Sequence, residues 1–175
     1  MTPTPGTAAP SFTLPDTDGR DWSLGGGNED QATVVVFTCN HCPYALAWHD
    51  RILDAARDYA GRARFLLINP NDADRYPRDS LEAMRERVAR ERWPAPYLHD
   101  ADQSVARAFG AKTTPDVFVI DAGGVLRYRG APDADYGDPS QRAGWLRRAL
   151  DDVIAGREPE QAQTAPVGCS IKWKP

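Results

Sequence analysis

The sequence is poor in the residues that build disulfide scaffolds and metal centres. Of its 175 residues, three are cysteine, three are histidine and two are methionine. Three unevenly spaced cysteines cannot make the framework of crosslinks that stabilises small secreted domains. A chain of this length buries about two-thirds of its unfolded surface and needs no crosslinks to fold. The sequence therefore predicts one domain over residues 1–175, stabilised by an ordinary hydrophobic core.

An excess of positive charge is also lacking, as are long apolar runs. The 21 Lys and Arg residues are outnumbered by 25 Asp and Glu residues, for a formal charge of -4, so the electrostatic footprint of a nucleic-acid-binding protein is missing. The first ten residues contain no Lys or Arg and no apolar run of the kind found in signal peptides. No segment has the length and hydropathy of a membrane span. We therefore expect a cytoplasmic protein with neither nucleic-acid nor membrane partners.

What the chain does contain is an alternation of strand and helix patterns. Apolar residues spaced two apart on either side of Asp18-Gly19 predict an N-terminal β-hairpin. Unbroken β-branched and aromatic runs predict buried strands, and apolar residues three and four apart predict helices. Only the Gly25-Gly26-Gly27 loop is of low complexity. The pattern indicates an α/β fold with a central mixed sheet, in which strands are expected at 33–38, 64–69, 96–98, 116–121 and 125–130, and helices at 40–61, 80–93, 99–110 and 140–156.

The predicted helix at 80–93 carries several Arg and Glu residues. Their signs alternate, and pairs such as Glu86 and Arg90 lie one helical turn apart. This spacing favours a solvent-exposed face with ion pairs over a nucleic-acid-binding face.

Two of the three cysteines, Cys39 and Cys42, are separated by Asn40 and His41 where a buried strand turns into a helix. In a reducing compartment such a pair is typical of catalysis, redox exchange or metal binding. We expect Cys39 to be exposed at the helix N-terminus, where the helix dipole and a neighbouring His41 lower a thiol pKa. Cys39 then attacks and Cys42 resolves the mixed disulfide. The strand at 33–38 contains no acidic residue that could accept a proton from Cys42.

Other interpretations of the pair stay open. A structural zinc site needs two more Cys or His ligands, usually as a second close pair, and the chain has none. A copper or zinc carrier could use Cys39, Cys42 and His49, and two inert core cysteines are a further alternative. We expect no resident metal or cofactor.

A second element with chemical meaning is Thr114-Pro115, directly before the strand at 116–121. An X-Pro bond adopts the cis form at small cost, and a cis bond here would turn the Thr114 backbone outward to pair with an extended substrate segment. A plain turn proline is the alternative. Cys169 lies in a C-terminal tail, residues 157–175, expected to pack on the domain. It is either a third redox thiol or a small buried residue, with Ile171 and Trp173 fixing the tail.

This order of elements resembles the thioredoxin-like fold, and specifically the redoxin group that contains alkyl hydroperoxide reductases and thiol-specific antioxidants. The stretch Phe37-Thr38-Cys39-Asn40-His41-Cys42-Pro43-Tyr44 and the tail Gly168-Cys169-Ser170-Ile171-Lys172-Trp173 are similar to a peroxiredoxin-like thioredoxin subfamily with a CNHC motif. The resemblance implies a cis Pro115 and a redox-active dithiol.

The resemblance to peroxiredoxins also marks two departures. In that family a Thr or Ser precedes the peroxidatic cysteine by three positions, so Cys42 takes the peroxidatic place and Cys39 replaces the Thr. The activating Arg of the family falls where this chain has Thr114-Pro115. Both changes favour dithiol exchange over peroxide reduction.

We therefore predict a thiol-disulfide oxidoreductase that acts on protein or small-molecule disulfides and is recharged by a cellular thiol reductant. A thiol peroxidase using Cys42 is the second enzyme hypothesis. The position of His41, directly before the second cysteine, resembles the motif of strongly oxidising disulfide-forming proteins. We therefore expect a disulfide that is more easily reduced than that of thioredoxin.

Overall fold

The structure, a computed structural model, describes residues 2–25 and 29–175, so of the predicted Gly25-Gly26-Gly27 loop only Gly25 lies among them. Five strands form the central sheet: β3 (Ala32–Phe37), β4 (Ala63–Asn69), β5 (Tyr97–His99), β7 (Asp116–Ile120) and β8 (Leu126–Gly130). Their order is β5-β4-β3-β7-β8. β3 pairs parallel with β4 and antiparallel with β7, so the sheet is mixed, as the sequence predicts.

The predicted N-terminal hairpin is present as β1 (Phe12–Pro15) and β2 (Asp21–Leu24), which pair antiparallel. Two short strands, β6 (Thr113–Thr114) and β9 (Cys169–Ser170), pair separately. Short 3-10 turns occupy Pro77–Asp79 and Pro139–Gln141. The helices are α1 (Pro43–Asp58), α2 (Leu81–Glu91), α3 (Ser104–Phe109) and α4 (Gly144–Ile154). None of the helices in the described ranges is long and apolar enough to cross a bilayer.

The last helix is shorter than the sequence predicts. A helix was expected from residue 140, but α4 begins at Gly144 because Arg142 and Ala143 have left-handed backbones, with φ of 54° and 56°. Such a conformation cannot continue a right-handed helix. Ala143 is held in it by a hydrogen bond from its N–H to the buried Asp133 carboxylate, at 2.9 Å.

β3 is apolar throughout because both of its faces are covered. Val34 and Val36 belong to the core on the side of α1 and α4, whereas Val35 and Phe37 belong to the core on the side of α3 and the hairpin. All four side chains are fully buried. Burying each contributes about 1.5–3 kcal/mol, so β3 is fixed in register between β4 and β7. The chain immediately after Phe37 is thereby placed at the carboxyl end of the sheet centre.

After α4 the chain returns across the sheet. Thr164 pairs with Arg129 through a backbone hydrogen bond of 3.0 Å, and its hydroxyl accepts the Ala131 N–H at 2.9 Å. Residues 169–170 then pair antiparallel with β6, a strand that the sequence did not predict. Ile171 is buried, and Arg107 lies over the Trp173 ring at 4.5 Å. The tail therefore lies against the domain at the end where β3 meets α1.

Candidate active site

The start of α1 brings two sulfur atoms to unsatisfied backbone donors. Pro43 occupies the first helical position and Cys42 is the N-cap, with an extended backbone. Because Pro43 has no N–H, the first free donors of the helix are those of Tyr44 and Ala45. The Ala45 N–H donates to the Cys42 sulfur and the Tyr44 N–H donates to the Cys169 sulfur. Both sulfurs thus lie at the positive end of the helix dipole.

Both cysteines of the pair are buried. Cys39 is 1% exposed and Cys42 is inaccessible, whereas Cys169 is only partly buried. The expectation that Cys39 is exposed at the helix N-terminus is therefore wrong. Cys39, Cys42 and Ala45 form one buried cluster, and Tyr44 and Cys169 of the tail pack against it. All three cysteines are free thiols in this structure.

Thr114 contacts both cysteines of the pair from the other side. Its hydroxyl lies 3.3 Å from the Cys39 sulfur, and its carbonyl oxygen accepts a hydrogen bond from the Cys42 thiol at 3.2 Å. The Thr114-Pro115 bond is cis, as the resemblance implies. The backbone of Thr114 is paired with Cys169 of the tail, so the edge predicted to bind substrate is occupied by the chain itself.

The directions of the pKa shifts within the pair favour the thiolate on Cys42 over Cys39. A hydrogen bond from the Cys39 thiol is the main reason that the pKa of Cys42 is lowered, with support from Cys169, the Ala45 N–H and Thr114 against the opposing effect of burial. The same hydrogen bond raises the pKa of Cys39, because it is formed only while the Cys39 thiol is protonated. Burial and the nearby charge of Asp79 raise this pKa further. This is the reverse of the expectation that Cys39 carries the lowered pKa.

A buried carboxylate that the sequence did not reveal lies beside the pair. Asp79 is fully buried, and its Oδ2 lies 2.6 Å from Nδ1 of His41. It accepts hydrogen bonds from the Asn40 N–H at 2.7 Å and from the side chains of Asn69 and Asn71 at 3.1 and 3.0 Å. Asp79 lies on the turn before α2 and not on the strand that precedes the pair, so no local sequence pattern indicates it. The His41 imidazole therefore faces Asp79. It is the backbone N–H of His41, and not the ring, that donates to the Cys39 sulfur.

Asn40 is held on its other side by α2 and β5. Its side-chain oxygen accepts hydrogen bonds from Arg87 at 2.9 Å and from the Tyr97 hydroxyl at 2.8 Å, and Arg87 also donates to the Cys39 carbonyl at 3.1 Å. Arg87 is 5% exposed. The predicted solvent-exposed face is thus correct for Glu86 and Arg90 but wrong for Arg87. Its place three residues after the buried Met84, on the same helical face, was the available signal.

His49 is not brought together with the thiols. Its Nε2 lies 2.8 Å from Glu91, and burial lowers its pKa. Within the described ranges, the group of three side chains whose ligand atoms lie within 4.8 Å of one another is Cys39, His41 and Asp79. The carrier hypothesis built on Cys39, Cys42 and His49 therefore finds no geometry to support it.

Comparison with known proteins agrees with this architecture. The model of the AhpC/TSA family matches residues 5–129. A crystal structure of an uncharacterised conserved protein from Geobacillus kaustophilus is 39% identical, with a TM-score of 0.92, over 100% of this chain and 94% of that one. A putative thioredoxin from Neisseria meningitidis is 26% identical, with a TM-score of 0.62, over 83% of this chain and 93% of that one.

Among curated proteins, a thiol:disulfide interchange protein, DsbE, from Allochromatium vinosum is 28% identical over 130 residues. The match covers 69% of this chain and 63% of that protein, so the chain spans less than two-thirds of its relative's length. The thioredoxin-like fold and the redoxin resemblance inferred from the sequence are confirmed by these matches. Placement in a subfamily defined by the CNHC motif stays a prediction.

Proposed function

Since the chain belongs to the AhpC/TSA family, we propose that it is a thiol-disulfide oxidoreductase in which Cys39 and Cys42 alternate between dithiol and disulfide. The observation that carries the proposal is that Thr114 contacts both sulfurs at the start of α1: its hydroxyl lies 3.3 Å from the Cys39 sulfur and its carbonyl oxygen lies 3.2 Å from the Cys42 sulfur, and the pKa of Cys42 is lowered while that of Cys39 is raised. A thiolate beside a protonated thiol is the arrangement that exchange requires, because one sulfur attacks while the other is ready to displace the product.

The reaction follows from that arrangement. The Cys42 thiolate attacks one sulfur of a substrate disulfide, and the other substrate sulfur leaves as a thiolate. Cys39 then loses its proton and attacks the Cys42 sulfur, which forms the Cys39–Cys42 disulfide and releases the second substrate thiol. A cellular thiol reductant restores the dithiol. The order of attack is the reverse of the one expected from the sequence, since the thiolate is favoured at Cys42.

Two further residues support the pair without forming bonds to substrate. Asp79 orients the His41 ring and anchors the Asn40 N–H, which fixes the loop between β3 and α1. The Thr114 hydroxyl contacts the Cys39 sulfur, and the Thr114 carbonyl oxygen accepts a hydrogen bond from Cys42 while Cys42 is a protonated thiol. Docking of a substrate segment on Thr114 and Pro115 is part of the proposal, and it requires displacement of residues 169–170 from that edge.

Reduction of insulin with dithiothreitol as the electron source tests the function. We expect turnover with the wild-type protein and loss of turnover in both Cys39→Ser and Cys42→Ser. Circular dichroism and urea unfolding of both variants check that they are folded. Absence of insulin reduction by a wild-type protein that forms the Cys39–Cys42 disulfide would contradict a role in protein disulfide exchange, and the assay should then be repeated with glutathione disulfide.

A thiol peroxidase is the second candidate, because the stabilised thiolate is at the position that the family resemblance assigns to the peroxidatic cysteine. Cys42 would attack hydrogen peroxide and Cys39 would resolve the sulfenic acid, with release of two water molecules in total. Against it, the Thr114 carbonyl stands where the resemblance places a cationic Arg. With dithiothreitol supplied as the resolving thiol, peroxide consumption that survives Cys39→Ser and is lost in Cys42→Ser would favour the peroxidase. We also propose the cytoplasm as the site of action, which a reporter fusion would test.

A further inference from the structure

We propose that Cys169 is a third exchange thiol, presented to Cys42 by a tail strand that lies along Thr113–Thr114 in the manner of a substrate, and that the protein forms an internal Cys42–Cys169 disulfide. The inference rests on the proposed dithiol cycle. Cys169 is directly opposite Thr114 in the β6–β9 pair, and Thr114 contacts the sulfurs of both Cys39 and Cys42. Three thiols therefore converge on one residue.

The approach of the tail to this edge depends on a glycine. A Cβ at Gly168 would overlap the carbonyl oxygen of Thr114 and crowd the Pro115 nitrogen. Gly168 has no positive φ, so its backbone would accept other residues. The requirement for glycine comes from the close approach of the two backbones. This approach places the next residue, Cys169, within reach of Cys39 and Cys42.

The tail is anchored just beyond Cys169. The Ile171 N–H donates to the Lys112 carbonyl at 3.1 Å, and the Lys172 N–H donates to Asn71 at 2.9 Å. The Lys172 carbonyl accepts hydrogen bonds from the Asp72 N–H at 2.8 Å and from the Gln103 side chain at 2.9 Å. These contacts hold the strand in one register, so the Cys169 sulfur is preorganised toward Cys42.

The environment of the Cys169 sulfur is that of a reacting group. It accepts the Tyr44 N–H at the start of α1, one residue before the donor that serves Cys42, and its thiol donates to the Cys42 sulfur. It is also partly exposed, while the other two sulfurs are closed off from solvent. Cys169 therefore links the buried pair to the surface. A residue present only for packing needs neither the hydrogen bonds nor the exposure.

The chemical step is a disulfide exchange within the chain. Starting from the Cys39–Cys42 disulfide, Cys169 loses its proton and attacks the Cys42 sulfur. The Cys42–Cys169 bond forms, the Cys39–Cys42 bond breaks, and Cys39 leaves as a thiolate that takes up a proton. One disulfide is exchanged for another, so no oxidant or reductant is consumed beyond the one that formed the first disulfide.

Peptide mapping without reduction tests the inference directly. Trypsin releases residues 21–51, which contain both Cys39 and Cys42, and residues 158–172, which contain Cys169. A Cys39–Cys42 disulfide stays within the first peptide, whereas a Cys42–Cys169 disulfide joins the two. The Cys39→Ser variant is equilibrated with glutathione redox buffer at about 1 mM glutathione and then acid-quenched. We expect the joined peptide to predominate over glutathione adducts, because the effective concentration of two preorganised thiols exceeds that given by a flexible tether.

Two variants serve as matched controls. In the Cys39→Ser background, Cys169→Ser/Ser170→Cys keeps the number of thiols but moves one to the opposite face of the strand, and we expect no joined peptide from it. Cys42→Ser retains Cys39 and Cys169, and we expect no joined peptide here either. The inference is overturned if Cys39→Ser yields only glutathione adducts, or if Cys42→Ser yields the joined peptide instead. A wild-type protein that forms no disulfide within residues 21–51 contradicts the proposed function, which is a separate outcome.

Discussion

The imidazole Nδ1 of His41 lies 2.6 Å from the carboxylate Oδ2 of Asp79, a side chain with no access to solvent. This contact joins the loop that carries the two cysteines to the turn that precedes α2. Because Asp79 also accepts the Asn40 N–H and two asparagine side chains, its charge is surrounded by donors. The carboxylate therefore supports the geometry of the loop and acts on the neighbouring thiols.

The first prediction concerns Asp79→Asn. In this variant the side-chain NH2 group faces N–H donors whose hydrogen bonds the carboxylate accepted. Each buried polar group left without a partner costs about 1–3 kcal/mol. We expect a loss of that size in the free energy of unfolding, measured with urea. We also expect a lower pKa for Cys39, because the Asp79 charge is one of the causes that raise it. Ultraviolet absorbance of the thiolates against pH reports this shift.

Asp74→Asn is the matched control for that variant. Asp74 is in the same loop but exposed, so its substitution should change neither quantity by more than the effect typical of a surface site, about 0.5 kcal/mol. Equal effects of the two substitutions would contradict the role assigned to Asp79.

The second prediction concerns the Cys42 thiolate. Since the Cys39 thiol is the main cause of the lowered pKa of Cys42, Cys39→Ala should raise that pKa, and Cys39→Ser should raise it less because the hydroxyl still donates. The folded-state pKa lies below the ordinary value of a thiol, so the thiolate adds stability that is lost as the pH falls toward the lowered pKa. Urea unfolding of the reduced protein at several pH values, compared with Cys42→Ser, should show this loss.

The third prediction concerns the redox potential. Hydrogen bonds from Cys39, Cys169 and the Ala45 N–H stabilise the reduced form through the Cys42 thiolate, and a disulfide at Cys42 cannot use them equally. We expect a potential above about -270 mV, the value for thioredoxin. Equilibration with glutathione measures it, and a value at or below that reference would refute the prediction.

The fourth prediction concerns Gly168→Ala. The added methyl overlaps the Thr114 carbonyl, and overpacking of this kind costs about 1–3 kcal/mol. We expect the tail strand to open more often and the rate of maleimide modification of Cys39 and Cys42 to rise about tenfold. Gly144→Ala adds the same methyl where the nearest atom is 3.8 Å away, and its modification rate should match that of the wild type.

Much of the fold follows from local patterns. The start of α1 is predictable because proline tolerates only the first turn of a helix, and Pro43 indeed occupies the first position. The buried runs predict β3 and β4 within one residue at each end. The late start of α4 was not predictable, because a tertiary hydrogen bond from Ala143 to Asp133 holds the left-handed backbone that interrupts the helical pattern.

The sequence indicates which thiols and which proline meet at the site but not which residues surround them. The thiols Cys39 and Cys42 and the cis Pro115 are visible in short motifs. Asp79 and Arg87 reach the loop across 38 or more residues of chain, and no local pattern encodes such contacts. The tail strand that pairs with Thr113–Thr114 has only two residues, which is too short to leave a periodicity in the sequence.

The pairing of β3 with β7 has a consequence for how the site tolerates change. Phe37 pairs with Asp116, and counting two residues onward on one strand and two backward on the other brings Cys39 opposite Thr114. The distance between the Cys39 thiol and Thr114 is thus set by the alignment of the apolar core. A single inserted residue between Phe37 and Cys39, or between Thr114 and Asp116, would turn one partner to the other face of the sheet, whereas an insertion at the exposed Asp74 would leave that alignment intact.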